Sequence, residues 1–271
     1  GHGGGGVSFR TVAEKYARDT HRTRSVWIAT ALFVAVFAFL GWSGAYDYNG
    51  ELRALAAGGI GNSAAILVPL TTLALGNGAV AGGRESGSLR VLLAFPHSRR
   101  DVATGAFLGR LGPLLFAVGA GLLAAPIAYT VRAGQLPGVD YLVLVGLVVL
   151  WTVFCTSLAV GISALVSTGR RAIAAALGTY IGFLFLWSWV PSQVVRRLYP
   201  PEERYPLPEW AQVWNALDPV SAFTGATRLL NYRPDEALAV YETIPFSAAV
   251  VAAWALVPMA LALWRFPKTD L

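Results

Sequence analysis

The side chains able to do covalent or metal chemistry are few and scattered. The only lysines are Lys15 and Lys268, the single cysteine is Cys155, the single methionine is Met259, and the three histidines are His2, His21 and His97. A phosphate-cradling loop needs a glycine-rich turn that ends in Lys followed by Ser or Thr. Neither lysine follows such a turn, so ATP hydrolysis by this chain is not expected. There is no Gly-x-Ser-x-Gly elbow and no His-Glu-x-x-His helix, and Cys, His and Met nowhere take up metal-ligand spacing. No pair of carboxylates falls inside one apolar run, which leaves an intramembrane hydrolase or a proton relay without its parts. The residues therefore predict no enzyme, no catalytic residue, no metal and no cofactor in this chain.

What remains is a dense group of charges beside leucines between Arg84 and Arg110. Leu89, Leu92 and Leu93 share one helical face, while Arg84, Glu85 and Arg90 hold that helix at a water boundary, and Pro96 ends it. Ser98-Arg99-Arg100-Asp101 then reads as a capping box that starts the next helix, with Asp101 near its positive end. Such a segment is built to be gripped, not to react.

The elements that must position this group are long apolar runs. Of the 271 residues 55% are hydrophobic and 13% charged, with mean hydropathy +0.55, a composition that excludes disorder and is unusual for a soluble chain. About 20 apolar residues cross the ~30 Å of hydrocarbon in a bilayer. Six candidate spans cover about 25–45, 55–80, 103–131, 141–166, 172–190 and 244–264. The fold expected is an all-α polytopic membrane protein. No secretory leader is expected, because the first apolar run follows a basic stretch and is too long for one. Residues 1–6, Gly-His-Gly-Gly-Gly-Gly, read as a tag or linker.

Sorting the charges by loop orients the spans. Residues 1–24, 81–110, 167–171 and 265–271 gather 14 of the 21 Lys and Arg but only 5 of the 15 acids. By the positive-inside rule that side is cytoplasmic and holds both termini. The net charge of +6 is thus a topology signal. It does not point to nucleic acid, since no basic stripe interleaved with aromatics occurs. Nineteen arginines against two lysines suggest a GC-rich prokaryotic genome.

Along the chain, Phe9, Val12, Ala13 and Tyr16 recur at helical spacing in 7–24, with Arg10, Lys15, Arg18 and Arg22 around them, which predicts an amphipathic elbow helix lying in the interface. Span two carries Asn62, Thr71 and Asn77, and span four Thr152 and Thr156; they are candidates for a path, with helix packing the commoner role of such residues. Gly105 and Gly109 permit close approach at the start of span three, and Pro126 bends it. Ser167 to Arg171 is a tight cytoplasmic hairpin. Residues 191–243 form the long external connection. Within it, 210–217 and 223–230 are short apolar stretches broken at Asp218-Pro219, a pattern that predicts a re-entrant or interfacial hairpin. Trp210, Trp214 and Tyr232 read equally as interface anchors, and Trp210, Trp214, Asp218, Pro219 and Phe223 are candidate gate residues only through the family resemblance that the loop at 84–110 carries.

The loop at 84–110 resembles the cytoplasmic loop of ABC-2 type transporter permeases. The resemblance is carried by Glu85, Gly87, Leu89, Leu92, Leu93, Pro96, Ser98, Arg99, Gly105 and Gly109, and departs at Ala106, where a lysine is usual and Arg110 could supply the charge. It extends in span order from about Arg10 to the end. The Leu-Asp-Pro-Val-Ser-Ala-Phe run at 217–223 and the basic ending are most similar to the NosY-like branch. The resemblance implies one six-span permease domain over 25–271, with 84–100 as the coupling helix between spans two and three and the gating hairpin between spans five and six. Arg84, Glu85, Gly87, Leu89, Leu92, Leu93, Pro96, Ser98, Arg99 and Arg100 would then meet a separate ATP-binding subunit that carries ATP and Mg. A second permease copy, identical or paralogous, the lipid bilayer and an extracytoplasmic substrate protein are the other partners implied, in a prokaryotic cell membrane. The competing reading is a membrane scaffold of an assembly complex that recruits a soluble partner through the same loop and transports nothing. A passive channel lacks a selectivity motif or a charged ring.

Overall fold

The computed structural model describes residues 24–45, 57–75, 99–166, 168–231 and 237–265. Among these residues every regular element is a helix: α1 (Arg24–Ser43), α2 (Ala57–Leu75), α3 (Arg99–Ala133), α4 (Asp140–Leu165), α5 (Gly169–Leu198), α6 (Glu209–Ala216), α7 (Pro219–Leu229) and α8 (Ile244–Arg265). Five of them, α1, α3, α4, α5 and α8, contain stretches long and apolar enough to cross a membrane. In α2 the apolar stretch is Gly59–Leu75, shorter than the run expected to reach residue 80, and residues 76–80 lie outside the described set. The elbow at 7–24, except for Arg24, which opens α1, also lies outside it.

The candidate spans are apolar over most of their surface, as lipid-facing helices must be. In α1, Val26, Ala29, Phe33 and Phe37 face inward at three- and four-residue steps, while Trp27, Ile28 and Phe39 face out. The inward phenylalanines cross edge to face, 5.6 Å between ring centroids. α1 lies against α3 closely enough that a Cβ on Gly41 would fall 2.2 Å from the carbonyl oxygen of Ala125. Gly105 and Gly109 are both buried.

α4 is the central helix, packed against α2, α3, α5, α7 and α8. Its Trp151 is fully buried, stacks on Phe223 at 4.7 Å and 10°, and touches Phe154 at 5.0 Å. α4 and α5 are joined by the tight turn expected from the sequence, with the Thr168 hydroxyl accepting from the Arg171 amide at 3.4 Å. The fifth run differs from expectation at its far end. It continues as helix through a π turn at Gly182–Leu186 and past Pro191 to Leu198, so the first turns of the 191–243 connection belong to α5.

Candidate functional site: the α6–α7 hairpin and its anchors

Of the residues expected to seat an ATP-binding subunit, Arg84, Glu85, Gly87, Leu89, Leu92, Leu93, Pro96 and Ser98 lie outside the described residues, as does Asn77. Arg99 and Arg100 open α3, which begins directly after Ser98 as the capping pattern requires; their side chains are not described. α3 is the longest helix, 35 residues. At 1.5 Å per residue it measures roughly 52 Å, well beyond the hydrocarbon thickness.

The polar residues of the spans separate by burial. Asn62 lies on the exposed face of α2. Thr71 is buried and donates to Leu67 O at 2.7 Å, Thr152 donates to Val148 O at 2.7 Å, and Thr156 to Thr152 O at 2.8 Å. Each hydroxyl is thus satisfied by its own helix one turn back. Thr156 also lines a space of about 10 Å³ with Thr72 and the half-buried Arg110, room for about one water.

The five gate candidates meet in one hairpin. The sequence break at Asp218-Pro219 is a helix break: α6 ends at Ala216 and α7 begins at Pro219. Asp218 caps α7, its carboxylate accepting from the Ser221 amide at 2.7 Å, with Pro219 at the first helical position, where its missing N–H costs nothing. Asp218 is buried, and its Oδ1 accepts no hydrogen bond. Burial pushes its carboxyl pKa up, and hydrogen bonds from Ser221 and Val220 offset only part of that. Phe223, fully buried, carries the hairpin onto Trp151 of α4. Thr227 lies so close to α2 that a Cβ on Gly61 would fall 2.2 Å from its hydroxyl oxygen.

Trp214 and Trp187 form a reciprocal pair. The Trp214 indole donates to Trp187 O at 3.0 Å, the Trp187 indole donates to Trp214 O at 2.8 Å, and the rings lie 5.3 Å apart. Trp254 of α8 donates to Leu217 O at 3.0 Å, just where α6 ends. Trp210 donates to the Tyr199 hydroxyl at 3.3 Å. Three indole bonds therefore tie the hairpin to α5 and α8, and Phe183, Trp187 and Trp254 pack as an aromatic cluster beneath it.

One of these bonds, from Trp214 to Trp187 O, belongs to a pattern that begins with proline. A proline inside a helix has no N–H to give the carbonyl four residues back. In hydrocarbon such a carbonyl must find another donor, or it costs several kcal/mol. Pro191 strips Trp187 O, and the Trp214 indole serves it. Pro69 strips Ala65 O, and the Tyr180 hydroxyl of α5 serves it, while Trp151 donates to neighbouring Ala64 O at 3.2 Å. Pro126 strips Leu122 O, and the Tyr141 hydroxyl of α4 serves it. Near Pro258, Ser157 donates to Ala255 O at 2.6 Å. Sequence reasoning missed Tyr141, Tyr180, Trp187 and Trp254 as anchors. The prolines announce that donors are needed, but only the packing says which side chain arrives.

Comparison with known proteins agrees with this architecture. The chain matches the model of the family described as ABC-2 family transporter protein over residues 10–271. It is 26% identical over 274 residues to a protein of Pseudomonas aeruginosa described as probable ABC transporter permease protein NosY, across 94% of this chain and 92% of that one. A bundle of apolar helices with its capped hairpin, matched from residue 10 to the last, places this chain in the ABC-2 family of transporter proteins, as a multi-pass membrane protein.

Proposed function

We propose that this chain is the membrane-spanning permease subunit of an ABC transporter, pairing with a second permease copy and driven by separate ATP-binding subunits that carry ATP and Mg. The observation that carries the reading is the family match over 10–271 in a chain without a phosphate-binding loop, so the work must come from a partner. The loop at 84–98 is the docking segment: Leu89, Leu92 and Leu93 seat it, Arg84, Glu85 and Arg99 orient it by charge, and Pro96 and Ser98 lead into α3. α3 supports this role, because a single helix of 35 residues starts immediately after the loop and passes the push along its length.

In this reading both termini lie on the cytoplasmic side of a prokaryotic cell membrane, α2 completes six spans, and the α6–α7 hairpin dips back into the outer leaflet to gate the path. The absence of paired carboxylates from the spans suits cargo that is apolar or bulky.

The test is co-expression with a candidate ATP-binding subunit from the same genome, followed by purification and vesicle transport. Glu85→Arg and Leu92→Pro are expected to lower ATP-driven transport at least tenfold while leaving the helical content unchanged. Coupled transport at the wild-type level in both variants overturns the proposal. A partner that binds through the loop while nothing moves in vesicles also overturns it, in favour of an assembly scaffold.

A further inference from the structure

A cavity of about 550 Å³ opens between the α6–α7 hairpin and the start of α8. That size is typical of small-molecule sites. Its lining is mixed in a specific way: Arg228 and Glu242 bring opposite charges, Asn215 and Ser247 bring polar groups, and Leu229 and Leu238 bring apolar surface. Arg228 and Glu242 form no ion pair with each other among the described residues, although they line the same space. Glu242 accepts from the Ala239 amide through one oxygen, at 3.1 Å, and the carboxamide oxygen of Asn215 is buried and accepts nothing.

The charge balance narrows the occupant. A simple anion would engage Arg228 and leave the Glu242 carboxylate to water, whereas a simple cation would engage Glu242 and leave Arg228 to water; either uses only one of the two charges that line the site. A zwitterion satisfies both, with its anionic group on Arg228 and an ammonium on Glu242 and the free oxygen of Asn215. Depth narrows it further. Ser247 lies near the start of α8, a candidate span, while Arg228 is an exposed charge in the last turn of α7, on the connection between spans, so the cavity lies at the level where lipid headgroups meet water.

We propose that this cavity binds a phosphoethanolamine zwitterion, with the phosphate held by Arg228 and the ammonium by Glu242 and Asn215. Two sources share that chemistry: the headgroup of a phospholipid, with its glycerol end against Leu229 and Leu238, or a soluble glycerophosphoethanolamine.

The full chain is reconstituted in nanodiscs of phosphatidylglycerol with and without phosphatidylethanolamine, and the lipid retained on release is counted by native mass spectrometry. One phosphatidylethanolamine per chain is expected. Arg228→Glu and Glu242→Lys, both at exposed positions that leave the fold intact, each lower retention about tenfold or more, the weight of one charge-assisted contact. Arg196→Glu, on α5 and outside the cavity, leaves retention unchanged. Excess soluble glycerophosphoethanolamine distinguishes the sources. Displacement means that the headgroup alone is held; retention despite the competitor makes the lipid the occupant. Equal retention by the wild type and both cavity variants, or none by the wild type, overturns the proposal. Because no nucleotide or transport enters the measurement, its failure leaves the permease reading standing, and failure of ATP-driven transport leaves this site standing.

Discussion

α1 with α3 and the α6–α7 hairpin with its neighbours are two solutions to the same problem, joining helices where the hydrophobic effect gives little. In a bilayer, lipid chains are as apolar as leucine, so association rests on close packing and on hydrogen bonds. The α1–α3 pair uses the first. Glycine brings backbone against backbone, and a Cβ at Gly41 would meet the Ala125 carbonyl oxygen at 2.2 Å. The hairpin uses the second. Against α2 and α4 it too packs closely, through Thr227 on Gly61 and Phe223 on Trp151, but its joints to α5 and α8 are indole-to-carbonyl bonds, Trp214 to Trp187, Trp187 to Trp214 and Trp254 to Leu217. Backbone packing has no alternative partner when the helices separate. Side-chain bonds can be exchanged for others.

The largest effect is expected where there is no room to give. Gly41→Leu drives a branched side chain into the α3 backbone, and overpacking of that kind costs about 1–3 kcal/mol or more. The variant should lose its sharp elution peak in detergent and melt well below the wild type. An unchanged melting temperature would show that α1 and α3 are joined by something other than close backbone contact.

At the hairpin, Trp214→Phe keeps a ring but removes the donor to a carbonyl that Pro191 has already stripped. Leaving it unserved costs about 1–3 kcal/mol. The sharper measurement is rescue. Pro191→Ala restores an amide four residues from Trp187, so thermal unfolding of Trp214→Phe/Pro191→Ala should recover much of what Trp214→Phe loses. Additive losses in the double variant would break the link between proline and indole. Tyr180→Phe repeats the experiment inside the bundle. About 1 kcal/mol is expected, the ring being kept, with recovery in Tyr180→Phe/Pro69→Ala.

The smallest effect is one of pH. An aspartate at an N-cap ordinarily favours its ionised form, because the helix dipole and the capping amide both stabilise it. At Asp218 burial outweighs them and raises the carboxyl pKa. The native state then binds a proton that the unfolded state has released. The resulting stabilisation is fully present below the ordinary carboxylate range and is lost as pH rises through the raised value. Asp218→Asn keeps the cap and removes the titration. Wild-type melting should therefore rise relative to the variant as the pH is lowered from neutral. Parallel melting curves across that range would show that Asp218 is solvated when the hairpin sits in a membrane.

Much of this was legible in the residues. Five of the six apolar runs match long helices among the described residues, Asp218-Pro219 announced the break between α6 and α7, and Ser98 marked the residue before α3. These signals are local: hydrophobic length, an N-cap and a missing amide act within one helical turn. Where locality failed, so did the reading. Pro191 looked like the end of the fifth span, yet α5 runs past it to Leu198, because the Trp214 indole supplies the donor that the proline lacks. Asn62 lies on the exposed face of α2, and the buried threonines bond to their own helices, the commoner role that their residue type already suggested.

The sequence by itself determined that the chain lies in a membrane and which carbonyls its prolines would leave without a donor. The tertiary structure decided who serves those carbonyls. Tyr180 for Ala65, Tyr141 for Leu122 and Trp214 for Trp187 are partners 115, 19 and 27 residues apart. The reason is physical. Stripping a carbonyl follows from one residue and its own helix, whereas delivering a hydroxyl or an indole to it depends on how two helices rotate and cross, and that is settled by the packing of the whole bundle.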